Sequence, residues 1–154
     1  MPAETSSGPM PELTDVRLQR RDTDPLPPDA LLKFQAINRG KDPSYNYRWL
    51  LYSDGRWFLA WHSGDTSDWQ TPFDTDLPPT ATKQLPGAVV SEVKKQLQSA
   101  NFAAQPPYQV DQTVEDGSFY VVTARLDGQV HEVIYEGVYP ALIEFLETMV
   151  STYQ

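Results

Sequence analysis

Hydrophobic positions are densest between Tyr45 and His62, YNYRWLLYSDGRWFLAWH, where two aromatic runs flank Ser53-Asp54-Gly55-Arg56, a strong hairpin signal. With Asp54-Gly55 as a two-residue loop, the predicted pairs run outward as Tyr52/Trp57, Leu51/Phe58, Leu50/Leu59, Trp49/Ala60 and Arg48/Trp61. One face then carries Tyr47, Trp49, Leu51, Phe58, Ala60 and His62, and the other Arg48, Leu50, Tyr52, Trp57, Leu59 and Trp61. Both faces are apolar, whereas an antiparallel hairpin with one wet side alternates apolar with polar residues. Either a second part of the chain, such as the loop with Trp69 and Phe73, covers the extra face, or that face belongs to a partner.

The rest of the pattern supplies a sheet and two helices. Leu31–Asn38 alternates, with Leu32, Phe34 and Ala36 on one side, and forms a three-stranded meander with the hairpin. Residues 63–86 are rich in Asp, Thr, Ser and Pro with no period and read as a long loop. From Ala88 to Ala100 the period becomes helical, with Val89, Val93, Leu97 and Ala100 in one stripe, Pro86 near the start and Asn101 at the end. Tyr108–Val114 alternates as a fourth strand. Phe119–Leu126 and Gln129–Tyr135 form a second hairpin across Asp127-Gly128, pairing Tyr120/Tyr135, Val122/Val133 and Ala124/His131 on one side and Val121/Ile134, Thr123/Glu132 and Arg125/Val130 on a wetter one. Pro140 opens a last helix whose stripe is Leu142, Phe145, Leu146, Met149, Val150 and Tyr153. The predicted fold is α+β: a mainly antiparallel sheet of five to six strands with two helices packed on one face. It occupies residues 29–154 as a single domain, behind a disordered tail of residues 1–28 that is rich in Pro, Ser and charge.

Composition narrows the function. The 154 residues carry 21 acidic against 12 basic side chains, a formal charge of −9, which argues against a nucleic-acid footprint. With no cysteine there is no disulfide, thiolate nucleophile or cysteine metal site. No apolar run is long enough for a membrane span, and the N-terminal residues lack a basic-then-apolar leader pattern, so a cytoplasmic location is expected.

Candidate chemistry is sparse. The imidazoles are His62 and His131, and neither stands in a metal-ligand spacing or beside an identifiable nucleophile. His131, within a strand, reads as a structural histidine. Asp65, Asp68, Asp74 and Asp76 lack the residue order of a calcium loop, and neither a G-x-G-x-x-G turn nor a P-loop is present, so neither metal nor cofactor is expected. What remains is a non-enzymatic protein-binding module, an adaptor, accessory subunit or inhibitor, with Arg56, Trp57, Trp61, Trp69 and Phe73 as partner-binding candidates because Trp and Arg dominate interface hot spots. The competing reading is a small enzyme or ligand-binding protein with a pocket around His62 and the loop carboxylates.

Three motifs carry a resemblance: Ser99-Ala100-Asn101-Phe102 at the end of the first helix, Asp116-Gly117-Ser118-Phe119-Tyr120 leading into the second hairpin, and Val138-Tyr139-Pro140-Ala141-Leu142 opening the last helix. In their order they resemble the emfourin family, small bacterial proteins associated with thermolysin-like metallopeptidases as inhibitors. The resemblance covers under half of the chain. The aromatic hairpin and the Asp/Pro loop stand where that family has its opening strand and Gly-Gly-Phe turn. It implies an inhibitory binding role.

Overall fold

The computed structural model describes residues 22–37, 46–61, 76–111 and 119–153. Seven strands form one sheet: β1 (Ala30–Ile37), β2 (Tyr47–Tyr52), β3 (Arg56–Trp61), β4 (Lys83–Gln84), β5 (Tyr108–Val110), β6 (Phe119–Leu126) and β7 (Gln129–Glu136). Their spatial order is β4-β3-β2-β1-β6-β7-β5, antiparallel except where β5 runs parallel to β7. Helices α1 (Gly87–Ser99) and α2 (Ala141–Tyr153) pack on one face. The class is therefore α+β with a mostly antiparallel sheet. Two departures from the pattern are the two-residue β4, which adds a seventh strand, and the parallel β5, which reaches β7 after α1 has crossed the sheet.

β1 lies in the centre, bonded to β2 on one side and β6 on the other, and every one of its residues is buried. A strand paired on both edges and covered on both faces is the natural seat of the core. Leu32, Phe34 and Ala36 join Trp49, Leu51, Trp57, Tyr120, Val122 and Tyr135 beneath α1 and α2. The helices reach this cluster through Val90, Val93 and Leu97 of α1 and Leu142, Ile143, Leu146, Met149 and Val150 of α2. The α1 stripe is turned slightly from expectation, since Val90 is buried and Val89 half-buried. Pro86 is the extended residue before the helix, and Asn101, left-handed at φ 52°, ends it.

The second hairpin pairs as predicted, residue for residue from Phe119/Glu136 to Leu126/Gln129. The first does not. Its observed pairs are Leu51/Trp57, Leu50/Phe58, Trp49/Leu59, Arg48/Ala60 and Tyr47/Trp61, one residue out of the expected register. The same Asp-Gly dipeptide makes two different turns. Asp127 and Gly128 both have positive φ (51° and 79°), as a two-residue type I′ loop requires, whereas in the first hairpin only Gly55 does (95°). Asp54 stays in the ordinary region, where its carboxylate accepts from the Arg56 backbone N–H at 3.1 Å and from Arg56 Nε at 2.9 Å. Ser53-Asp54-Gly55 thus forms a longer loop, with Gly55 N–H bonded to Tyr52 O at 3.0 Å. A one-residue slip exchanges the faces of one strand. Trp57, Leu59 and Trp61 therefore join Tyr47, Trp49 and Leu51 under the helices, and Phe58 and Ala60 turn to the other side, correcting the predicted face assignment.

Gly55 is fixed by more than its φ. A Cβ there would lie 2.3 Å from Leu85 O and 2.8 Å from Gln84 Nε2, because Leu85 N–H bonds back to Gly55 O at 2.8 Å. At Gly128 a Cβ would meet nothing within 4 Å. Gly55→Ala is expected to cost about 2–3 kcal/mol in urea unfolding, and Gly128→Ala only the ~1 kcal/mol of left-handed strain. Equal midpoints for the two variants would contradict this turn geometry.

The sheet's other face is covered by the chain itself. Residues 22–29 lie across it, of which 22–28 were expected to end a disordered tail, with Leu26 packed on Ala30 and Leu50 beside the half-buried Tyr52, Phe58 and Leu77. Next to this patch, Asp22 pairs with Arg48 (2.8 Å) and Lys33 (3.4 Å), all three side chains nearly buried. The backbone N–H of Asp22 donates to Gln35 Oε1 at 2.7 Å, and Lys33 Nζ donates to Asp24 O. A charged pair tolerates such burial when further hydrogen bonds complete it. A separate apolar cluster, Ile37, Phe119, Val121 and Ile134 with Tyr108, occupies the β6–β7 part of the face. Residues 1–21 lie outside the described part of the chain.

Candidate functional site

The predicted partner-binding residues do not form one surface. Trp57 is fully buried: its ring sits 5.9 Å from that of Trp49, and its indole N–H has no partner among the described residues. Trp61 is half-buried, edge-on to Tyr47 at 5.4 Å. Arg56 stays near its own turn, paired with Asp54 and 4.2 Å above the ring of Tyr52. Trp69, Phe73, His62, Asp65, Asp68 and Asp74 lie outside the described residues, and Asp76 is exposed. His131 faces Ala124 in β7, half-buried. Among the described residues no group of three or more His, Asp or Glu side chains is placed to hold a metal ion.

A groove of about 220 Å³ opens where the first turns of α1 meet the last turns of α2. Half-buried Val89, Phe145 and Tyr153 and buried Met149 supply its apolar lining, and Glu92, Thr148 and Thr152 its polar part. Sequence periodicity places Val89, Phe145 and Tyr153 on the apolar stripes of their helices, and the helix-to-helix crossing leaves their outer edges open. Trp57 lies directly behind the groove, its ring 6.1 Å from Tyr153 at 73°. The aromatic hairpin thus contributes a buttress for a groove wall. The threonine hydroxyls bond back to the helix, Thr148 Oγ1 to Glu144 O and Thr152 Oγ1 to Thr148 O, both at 2.8 Å.

The hydroxyls of Tyr135 and Tyr47 are held neutral by their surroundings. Burial pushes Tyr135 well above the usual tyrosine range, and its hydroxyl donates to Gln105 Oε1. Tyr47 is raised first by burial and then by the carboxylate of Glu147. A phenol held neutral in this way is a poor base and a poor nucleophile at neutral pH. No helix among the described residues is long and apolar enough to cross a membrane.

No family model, curated protein or solved structure matches the chain.

Proposed function

We propose that the protein is a non-enzymatic binding module that takes an amphipathic segment of a protein partner, seating one apolar side chain in the α1–α2 groove. The supporting observation is the groove itself: an apolar lining from Val89, Phe145, Met149 and Tyr153 with Glu92 and two threonine hydroxyls alongside, the anatomy of a side-chain pocket at a protein interface. Its volume of about 220 Å³ suits one large side chain and not a cofactor. The charge of −9, with Glu92 at the groove and Glu144 exposed on α2, favours Lys or Arg flanking the inserted residue. Inhibition of an enzyme by occupying its surface, the role implied by the emfourin resemblance, would be one use of such a module.

Selection from a displayed random-peptide library tests this reading. Enriched peptides are expected to share a single aromatic or long aliphatic anchor flanked by basic residues, and to lose about tenfold or more in affinity for Val89→Glu and Thr152→Glu variants that keep the wild-type circular dichroism spectrum. Peptides that bind the two variants as well as the wild type would place the site elsewhere. No enrichment at all would count against the binding-module reading.

A further inference from the structure

The sheet face turned away from the helices gathers cations from three strands: Lys33 of β1, Arg48 of β2 and Arg125 of β6, each the neighbour of a residue in the helix-side core. All three are engaged by one short segment, the strap Asp22-Thr23-Asp24-Pro25-Leu26-Pro27-Pro28-Asp29. Arg48 and Lys33 pair with the Asp22 carboxylate at 2.8 and 3.4 Å, and Lys33 Nζ also donates to Asp24 O. Arg125 Nη2 donates to Pro27 O at 3.0 Å and Leu26 O at 3.5 Å. Leu26 completes the attachment on Leu50, next to Tyr52 and Phe58. The strap is thus held by side chains of the sheet and is not a strand of it. Its three prolines have no N–H, the Asp22 N–H bonds to the Gln35 side chain, and the Asp24 N–H bonds to Asp22 itself. Among the described residues its main-chain bonds are Ala30 N–H to Pro27 O and Ser53 N–H to Asp29 O, both at the end that joins β1. A segment without ladder bonds opens at a lower free energy than the strands beneath it.

We propose that this outer face is a docking surface for an extended acidic segment of a partner protein, and that the strap is its resident competitor. The seated strap displays what the face accepts: an aspartate between Arg48 and Lys33, a leucine four positions later on Leu50, and main-chain carbonyls for Lys33 and Arg125. Carbonyls are supplied by any sequence, so the spacing of aspartate and leucine is the part that selects. A partner segment with that spacing re-pairs the same cations and covers Leu50, Tyr52 and Phe58 again. The charge preference is the reverse of that at the α1–α2 groove. In a chain with 12 basic side chains against 21 acidic, three of the 12 stand on this face, and they attract an acidic segment and not a basic one. The tethered strap competes at an effective concentration on the order of millimolar, so a loosened strap raises the affinity for the partner. Groove and outer face lie on opposite sides of the sheet, and each can fail as a site without the other.

Titration of the full chain carrying Asp22→Lys with an acetylated peptide of residues 22–29, followed by 1H–15N spectra, tests the assignment. The substitution sets a cation against Lys33 and Arg48, which unseats the strap and leaves the face itself unchanged. Saturable shifts at Lys33, Gln35, Leu50 and Tyr52 are expected. Binding to the wild-type chain, whose own strap competes, should be about tenfold weaker or more. A peptide carrying Asp22→Asn or Leu26→Ser should lose most of the affinity. The proposal fails if no saturable shift arises up to about 10 mM peptide, a concentration that would still reveal millimolar binding. It also fails if the wild type and Asp22→Lys bind the peptide equally, or if either altered peptide binds as well as the parent. Hydrogen exchange of the wild-type chain adds a check that needs no variant: the Asp22 and Asp24 amides should have protection factors at least about a hundredfold below those of Phe34 and Gln35 in β1. Equal protection would mean that the strap leaves the face only when the whole chain unfolds, and would overturn the proposal.

Discussion

Removal of residues 141–154 is expected to abolish the folded state. α2 alone buries Leu142, Ile143, Leu146, Met149 and Val150. At roughly 1.5–3 kcal/mol for each large apolar side chain, their burial is worth roughly 8–15 kcal/mol, as large as the entire stability of an ordinary domain. The loss is not confined to the helix, since its departure also uncovers Phe34, Trp49, Trp57 and Tyr120 in the centre of the sheet. Circular dichroism of the truncated chain should show no cooperative thermal transition, and its amide spectrum should collapse to the narrow dispersion of an unfolded polypeptide. A truncated chain that still melts cooperatively would mean that the sheet and α1 form a core without α2.

The second large effect is at Trp57. Trp57→Ala is expected to lower the unfolding free energy by about 3–5 kcal/mol, because it empties an indole-sized space in a cluster that cannot collapse around it. Trp57→Phe should cost well under half as much, since the aromatic contacts with Trp49 and Tyr153 are partly kept and the indole N–H, which has no partner among the described residues, loses nothing by its removal. Arg56→Ala next to it should cost at most about 1 kcal/mol, the usual worth of an exposed ion pair. Urea denaturation of the three variants gives the ordering directly. If Trp57→Ala unfolded at the wild-type midpoint, the one-residue register of the first hairpin would be wrong and Trp57 would lie on the outer face. The ordering also bears on function: any loss of binding in Trp57→Ala has to be separated from loss of fold, which makes Val89 and Thr152 the cleaner probes of the groove.

The legible elements were those with a strong local signal. The second hairpin could be paired from its residues because its Asp and Gly both adopt positive φ, so the dipeptide alone fixed the register. α2 was readable because its apolar stripe is long and uninterrupted. The first hairpin misled for a local reason with a distant partner. Asp54 satisfies its carboxylate on Arg56, and Gly55 is pressed against Leu85, thirty positions along the chain, so the turn has a form that the dipeptide does not announce. The groove was not legible at all. Val89, Phe145 and Tyr153 read as core residues until the fold brought the first turns of α1 against the last turns of α2.

The sequence by itself determined the α+β class, the places of most strands and both helices, the pairing of the second hairpin and the presence of one hairpin that is apolar on both faces. Periodicity and turn chemistry are properties of neighbouring residues, so they survive without knowledge of the fold. Only the tertiary structure decided how that second apolar face is covered. The helices took the face bearing Trp57, and residues 22–29 with Leu77 took the other, held by Leu26 and the Asp22 ion pairs. That outcome depends on contacts between segments far apart in the chain, whose energies are set by which surfaces meet and not by the pattern of either segment alone.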